Sequence, residues 1–210
     1  MSRKRAAALI HVQTWVRSSL DGSQKRAHGW PHTARVRANI RILARAEGAD
    51  PFLAELAALL HDVGRTQPGP EAEHGNRSAD IAAPLLSELP LVEEERLDTL
   101  HAIRWHNSLR ADTPLLCILR DADMLDGLGA MGLIRAFMSK SHLPPYDADA
   151  PFEAGKNLWP PKYSSDQLLG QMEWFERLNT DTARQLAARR VAFMKAFITQ
   201  AREELAGSNE

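Results

Sequence analysis

Histidine and aspartate stand at positions where binding a metal ion is their most informative use. In the stretch Ala57 to Arg65, AALLHDVGR, the apolar run Leu56-Ala57-Ala58-Leu59-Leu60 leads straight into His61 and Asp62. Neighbouring residues on a helix point about 100° apart, so two adjacent side chains converge on one ion only at the end of a segment. Polar groups at the end of so apolar a run are costly unless something holds them. Other donors lie at the ends or inner faces of neighbouring helical segments: His32, His74, His106 and Asp123, with Asp121 and Asp126 nearby. Imidazole and carboxylate without thiolate suit Mn, Fe, Ni, Co, Zn or Mg. His32, His61, Asp62 and Asp123 would fill four positions of an octahedral ion and leave water positions open. His74 and His106 would add a second ion, with Asp62 bridging, or contact substrate. Such a centre generates hydroxide near neutral pH and clamps phosphoryl oxygens.

Each of these residues also has a plainer use. His61 and Asp62 alone would make a buried hydrogen-bonded pair. His74 would cap a helix start, and His106 suits a helix C-terminus. Asp121 and Asp123 point about 200° apart, so with Asp123 inward Asp121 falls on the helix surface or supports a ligand. Asp126 shares the side of Asp123. His28 precedes the helix that Pro31 begins, so it is not read as a helical pair with His32 but as outer support for the site. His101 is placed at the surface, and His11 and His142 receive no role. Arg35, one turn after His32, suits a phosphate or a carboxylate. Arg65, following Gly64, reads as an exposed substrate contact. Trp159 is a stacking wall for a base, and Cys117 is core.

The elements that must position these residues are helical throughout. Ala8, Leu9, Val12, Trp15 and Val16 make a first amphipathic helix ending near Asp21-Gly22. A second begins at Pro31, with Val36, Ile40, Leu43 and Ala44 inward. Asp50 caps a third, Pro51 to His61, which Gly64 terminates. A Pro/Gly-rich loop covers Thr66 to Glu73. A fourth helix spans His74 to Glu88 with a kink at Pro84, and a fifth spans Glu93 to Trp105 with an acidic start. A long sixth helix runs from Leu115 to Met138, loosened by Gly127, Gly129 and Gly132. Residues 139–165 hold five prolines without periodicity and read as a lid or site wall. Helices return over Asp166 to Leu178 and Asp181 to Leu205, with Thr180 as a cap. The expectation is an all-α, single-domain helical bundle. Within it, 1–27 would pack an N-terminal helix on the core, 28–138 form the metal-binding core, 139–165 the lid, and 166–210 the closing helices.

Bulk properties restrict the function further. The 210 residues include 44% hydrophobic and 25% charged residues with a net charge of −1, the profile of an ordinary globular protein. That balance gives no nucleic-acid footprint and no membrane role. One cysteine excludes an internal disulfide or cysteine-rich zinc site and fits a cytoplasmic setting.

The spacing His32…His61-Asp62…Asp123 resembles the H…HD…D signature of the HD-domain metal-dependent phosphohydrolases. The likeness extends to the bacterial YedJ/YpgQ-like branch, whose opening HDWxHxxRV is similar to His28-Gly29-Trp30-Pro31-His32 with Arg35-Val36. Its DADRLDALGAIGIAR helix is similar to the stretch Thr113 to Arg135, TPLLCILRDADMLDGLGAMGLIR. Gly29 and Met124 depart from that pattern, where the branch usually carries Asp and Arg. The resemblance implies that His32, His61, Asp62 and Asp123 are metal ligands, with manganese favoured. Arg35 and Arg65 match basic positions for phosphate, joined by Lys140 or Lys162. Asp62 or His74 would handle protons, and His74 and His106 match the extra histidines of two-metal relatives. The implied activity is a hydrolase using a metal-activated water on a small phosphate ester or anhydride. The leading substrate is a nucleotide, a nucleoside triphosphate cut to monophosphate and pyrophosphate. A mixed-valence di-iron oxygenase and a catalytically silent binding module are the alternatives. A homodimer is compatible with the sequence.

Overall fold

The sequence Gly48-Ala49-Asp50-Pro51 stops one helix and starts the next, and the cap is made as its chemistry requires. The Asp50 carboxylate accepts hydrogen bonds from the amides of Phe52, at 2.7 Å, and Leu53, at 3.4 Å. Gly48 takes φ +70°, the left-handed conformation that ends a helix without a Cβ clash. The computed structural model describes residues 1–20, 28–153 and 160–207, so the proposed stacking role of Trp159 lies outside the described residues.

Two compact units are present, Met1–Asp123 and Met124–Glu210. The described residues are all-α, without strands. In the first unit the helices are α1 (Arg3–Leu20), α2 (Trp30–Ala46), α3 (Pro51–Leu60), α4 (His74–Ser87), α5 (Glu93–Trp105) and α6 (Pro114–Asp126). Short 3₁₀ turns at Val63–Thr66 and Glu71–Glu73 link α3 to α4. Helix α3 packs against α1, α2, α4 and α5. Its residues Phe52 and Ala54 to Leu60 are all buried, which explains why it shows no polar face.

The second unit begins inside α6 and contains α7 (Gly129–Ser139), α8 (Ser164–Met172), a 3₁₀ turn at Glu173–Arg177, and α9 (Asp181–Gly207). The single long helix expected from Leu115 to Met138 is broken. The amides of Gly127 and Leu128 turn back to the carbonyls of Met124 and Leu125, and Gly129 takes φ +78°. A Cβ on Gly127 would lie 2.3 Å from the Trp174 ring, so this break is also a packing point. Across it, Asp126 Oδ2 pairs with Arg135 Nη1 at 2.9 Å, so Asp126 staples α6 to α7. Arg190 donates to the Leu125 carbonyl and belongs to the same junction. Thr180 caps α9 through a 3.2 Å bond from the Ala183 amide to its hydroxyl.

Candidate metal centre

Three of the site histidines are aimed by one local device. Helix ends leave carbonyls without intrahelical partners, and an imidazole just beyond such an end satisfies one of them. His61 Nδ1 lies 2.8 Å from the Ala58 carbonyl, His106 Nδ1 2.7 Å from that of Ile103, and His74 Nδ1 2.7 Å from that of Glu71. A carbonyl only accepts, so in each ring Nδ1 carries the proton and Nε2 presents its lone pair inward. His61 and His106 sit at the C-caps of α3 and α5, and His74 follows the second 3₁₀ turn. The repetition explains why these histidines immediately follow short helical runs.

The aimed atoms converge. His32 Nε2 is 3.3 Å from His61 Nε2, 3.4 Å from Asp62 Oδ2 and 3.4 Å from Asp123 Oδ1. His61 Nε2 is 3.6 Å from Asp62 Oδ2. Ligands about 2.1 Å from an octahedral ion stand about 3 Å apart when adjacent, so these separations suit one divalent cation. His32, His61 and Asp62 are almost completely buried, while the Asp123 side chain keeps 31% exposure and borders solvent. The donor chemistry therefore fits a hard or borderline divalent ion with room for water.

Electrostatics favours the ligand-ready protonation states. Burial pushes His61 down to about 4, against the pull of Asp62 and Asp123, so its ring is neutral at neutral pH. Burial alone would raise Asp62, but His61, Arg65 and His28 outweigh it and hold this carboxyl well below the usual range. Asp123 is likewise lowered, burial being outweighed by His32 and His61. Burial also lowers His74.

The surroundings amend several expectations. His28 stands against the Asp62 carboxylate itself, with Nδ1 2.9 Å from Oδ2 and its ring edge-on to His32 at 5.2 Å between centroids. Its position just before the helix start, four residues ahead of His32, is the sequence signal for it. Arg65 is not an exposed contact: its side chain retains 9% exposure, with Nε 2.7 Å from Asp62 Oδ1 and Nη1 paired with Glu71. Gly64 does not terminate α3, which ends at Leu60. A Cβ on Gly64 would lie 2.4 Å from both the His74 carbonyl and the Ser78 amide, so the glycine permits α4 to close on the turn. That approach carries Arg65 inward. Asp121 is fully buried rather than at the surface. Arg35 lies half-buried on α2, one turn after His32. His74 and His106 meet with Nε2 atoms 3.0 Å apart, beside Asp62 Oδ1 at 3.3 and 3.7 Å. His101 bonds Asp112 at 2.8 Å, while His11 and His142 are exposed.

Comparison with known proteins places this geometry. The HD domain profile matches residues 29–128. YpgQ of Bacillus subtilis is 28% identical over 222 residues, covering 93% of each chain. The crystal structure of that protein in complex with ADP superposes with a TM-score of 0.75 at 27% identity, over 96% of each chain. An HD-superfamily hydrolase from Bacillus thuringiensis gives a TM-score of 0.72 at 28% identity, over 95% of this chain and 97% of its own. The segment that matches the HD domain spans His32, His61, Asp62, His74, His106 and Asp123, and over nearly its whole length the chain is similar to YpgQ.

Proposed function

We propose that this chain is a divalent-metal-dependent phosphohydrolase acting on a nucleotide, with a nucleoside triphosphate hydrolysed to the monophosphate and pyrophosphate as its leading reaction. The observation that carries the reading is a largely buried cluster in which His32 Nε2 lies 3.3–3.4 Å from His61 Nε2, Asp62 Oδ2 and Asp123 Oδ1, with His61 Nε2 3.6 Å from Asp62 Oδ2. Hydrolase relatives of the same fold support the class, and the complex of YpgQ with ADP supports a nucleotide. Manganese is the preferred ion of this reading.

A bound ion supplies charge neutralisation at phosphoryl oxygens and a more acidic water. The residues of the chain do the rest. His32, His61, Asp62 and Asp123 hold the ion, and the carbonyl of Ala58 keeps the His61 ring turned toward it. Asp62, or His74 beside it at 3.3 Å and lowered by burial, handles the proton. Arg35 supplies a planar guanidinium for substrate phosphate, and Arg65 adds a fixed positive charge behind Asp62.

The test is manganese-stimulated release of monophosphate and pyrophosphate from a panel of nucleoside triphosphates. His61→Ala, Asp62→Ala and Asp123→Ala should each lose at least about a hundredfold in rate, on the scale of removing an electrostatic stabiliser. Wild-type rates in folded His61→Ala protein would overturn the proposal.

A further inference from the structure

The two oxygens of Asp62 face different surroundings. Oδ2 looks toward His28, His32 and His61, at 2.9, 3.4 and 3.6 Å. Oδ1 looks toward Arg65 Nε at 2.7 Å, His74 Nε2 at 3.3 Å and His106 Nε2 at 3.7 Å. Apart from Arg65, this second group is a collection of acceptors. His74 and His106 have committed Nδ1–H to main-chain carbonyls, so their Nε2 lone pairs and the carboxylate oxygen point at one another. Such an arrangement is unfavourable in a dry interior unless a cation or donor lies among the acceptors.

Arg65 is placed to be that cation. Besides its 2.7 Å bond to Asp62 Oδ1, it donates through Nη2 to His74 Nε2 at 3.1 Å. Glu71 holds Nη1, and the close approach of Gly64 to α4 fixes the backbone from which the side chain springs. Its guanidinium is permanently charged and cannot be deprotonated in a protein.

We propose that the Arg65 guanidinium takes the place of a second metal ion beside Asp62 Oδ1, His74 and His106, making this a one-ion centre in which Arg65 positions the ligand Asp62. The inference rests on the metal reading above. It assigns His74 and His106 to an arginine-supported layer behind the ion rather than to a second ion, and makes Arg65 a positioning residue rather than a phosphate contact.

The experiment is a count of bound manganese. Metal-free wild type, Arg65→Lys, Arg65→Met and Arg65→Met/His74→Ala are equilibrated with excess manganese, desalted and measured by elemental analysis. Electron paramagnetic resonance is then used to detect coupled manganese pairs. One ion is expected in wild type and Arg65→Lys, two in Arg65→Met with a coupled spectrum, and one again in the double variant. Two ions in the wild type, or one in folded Arg65→Met, would overturn the inference. Should Arg65→Met fail to fold, His74→Ala alone decides. Retention of one ion with affinity within about threefold supports the one-ion centre, since His74 is then no ligand, whereas a large loss of affinity overturns it. A wild-type chain that binds no manganese would instead remove the metal reading on which the inference stands.

Discussion

The side-chain amide of Asn39 on α2 donates to the main-chain carbonyl of Ala122 on α6, 3.0 Å away. Ala122 immediately precedes the proposed ligand Asp123, and Asn39 lies on the helix that carries the proposed ligand His32. The bond therefore fixes the register between two helices that each carry one residue of the proposed metal centre. Replacing Asn39 by Ala should cost about 1–2 kcal/mol of stability, because a buried polar contact is lost. Manganese affinity should fall by more than stability alone explains, about tenfold, as for other residues that orient a metal ligand. Urea unfolding of the metal-free protein, paired with manganese titration, separates the two effects. An unchanged affinity in a destabilised variant would confine Asn39 to packing.

Gly64 is a point of close approach between the turn that follows α3 and α4. A methyl group there would overlap two main-chain atoms, the His74 carbonyl oxygen and the Ser78 nitrogen, each at 2.4 Å. The Gly64 amide also donates to Ser78 Oγ at 2.8 Å. Main chain cannot swing aside as a flexible side-chain tip can, so α4 would have to retreat. Gly64→Ala should cost at least about 2 kcal/mol, in the range of overpacked interiors. Ser78→Ala, which removes only the hydroxyl acceptor, should cost about 1 kcal/mol. Thermal unfolding of the two variants side by side checks the ordering.

The break between α6 and α7 depends on backbone conformation at Gly129, with φ +78°. An added Cβ would also stand 3.0 Å from Cβ of Arg190. The left-handed conformation costs an L-residue about 1–2 kcal/mol, and Gly129→Ala should lose at least that amount. Gly170, within α8 and with nothing within 4 Å of where a Cβ would stand, is the control: Gly170→Ala should be neutral or stabilising by up to about 1 kcal/mol. Equal losses at both positions would refute this explanation of the break.

What is legible in the sequence follows from these contacts. Helix existence is readable because apolar residues recur at helical spacing. The cap at Asp50 and the start at Pro51 are purely local chemistry, and both appear as expected. The convergence of His32, His61, Asp62 and Asp123 is readable through the family spacing rather than through geometry. Arg65 is misjudged in exposure because the glycine before it suggests an open turn, whereas that glycine exists to admit α4. The burial of Asp121 and the bend after Asp126 escape the sequence for a related reason. Both depend on what packs around α6, and on a positive φ that glycine allows but does not announce. The bonds from His61, His74 and His106 to carbonyls three residues back have a local signal, a histidine just past a helical run.

His28 tests how far the centre extends beyond its ligands. Its Nδ1 lies 2.9 Å from Asp62 Oδ2, the oxygen that also faces His32 and His61. A group there limits the rotation of the carboxylate, and comparable supporting contacts contribute about ten- to a hundredfold to metal affinity. His28→Ala should weaken manganese binding by about tenfold while leaving the unfolding midpoint of the metal-free protein nearly unchanged, since the side chain is 28% exposed. His28→Gln, which restores a hydrogen-bond donor, should recover part of the affinity. Failure of the glutamine to improve on alanine would exclude a hydrogen-bonding role.

The metal-free protein should lose stability as the solution is acidified from pH 6.5 toward 4. His61 has a folded value near 4 because burial disfavours its charged form, against an ordinary value of 6.5. Between those limits the unfolded chain binds a proton that the folded chain does not. Stability therefore rises with pH across the window, is fully present above 6.5, and declines as pH falls toward 4. The full contribution is on the order of 3 kcal/mol, from about 1.4 kcal/mol for each pH unit of displacement. Asp62 does not reverse this trend, because its lowered carboxyl costs stability only below the ordinary aspartate value of 3.8. Urea unfolding of metal-free protein at pH 7.5, 6 and 5 should show a monotonic decline, and His61→Asn should remove part of it, the rest belonging to His28, which burial also lowers to about 4. A decline of equal slope in His61→Asn would assign the pH dependence to other groups.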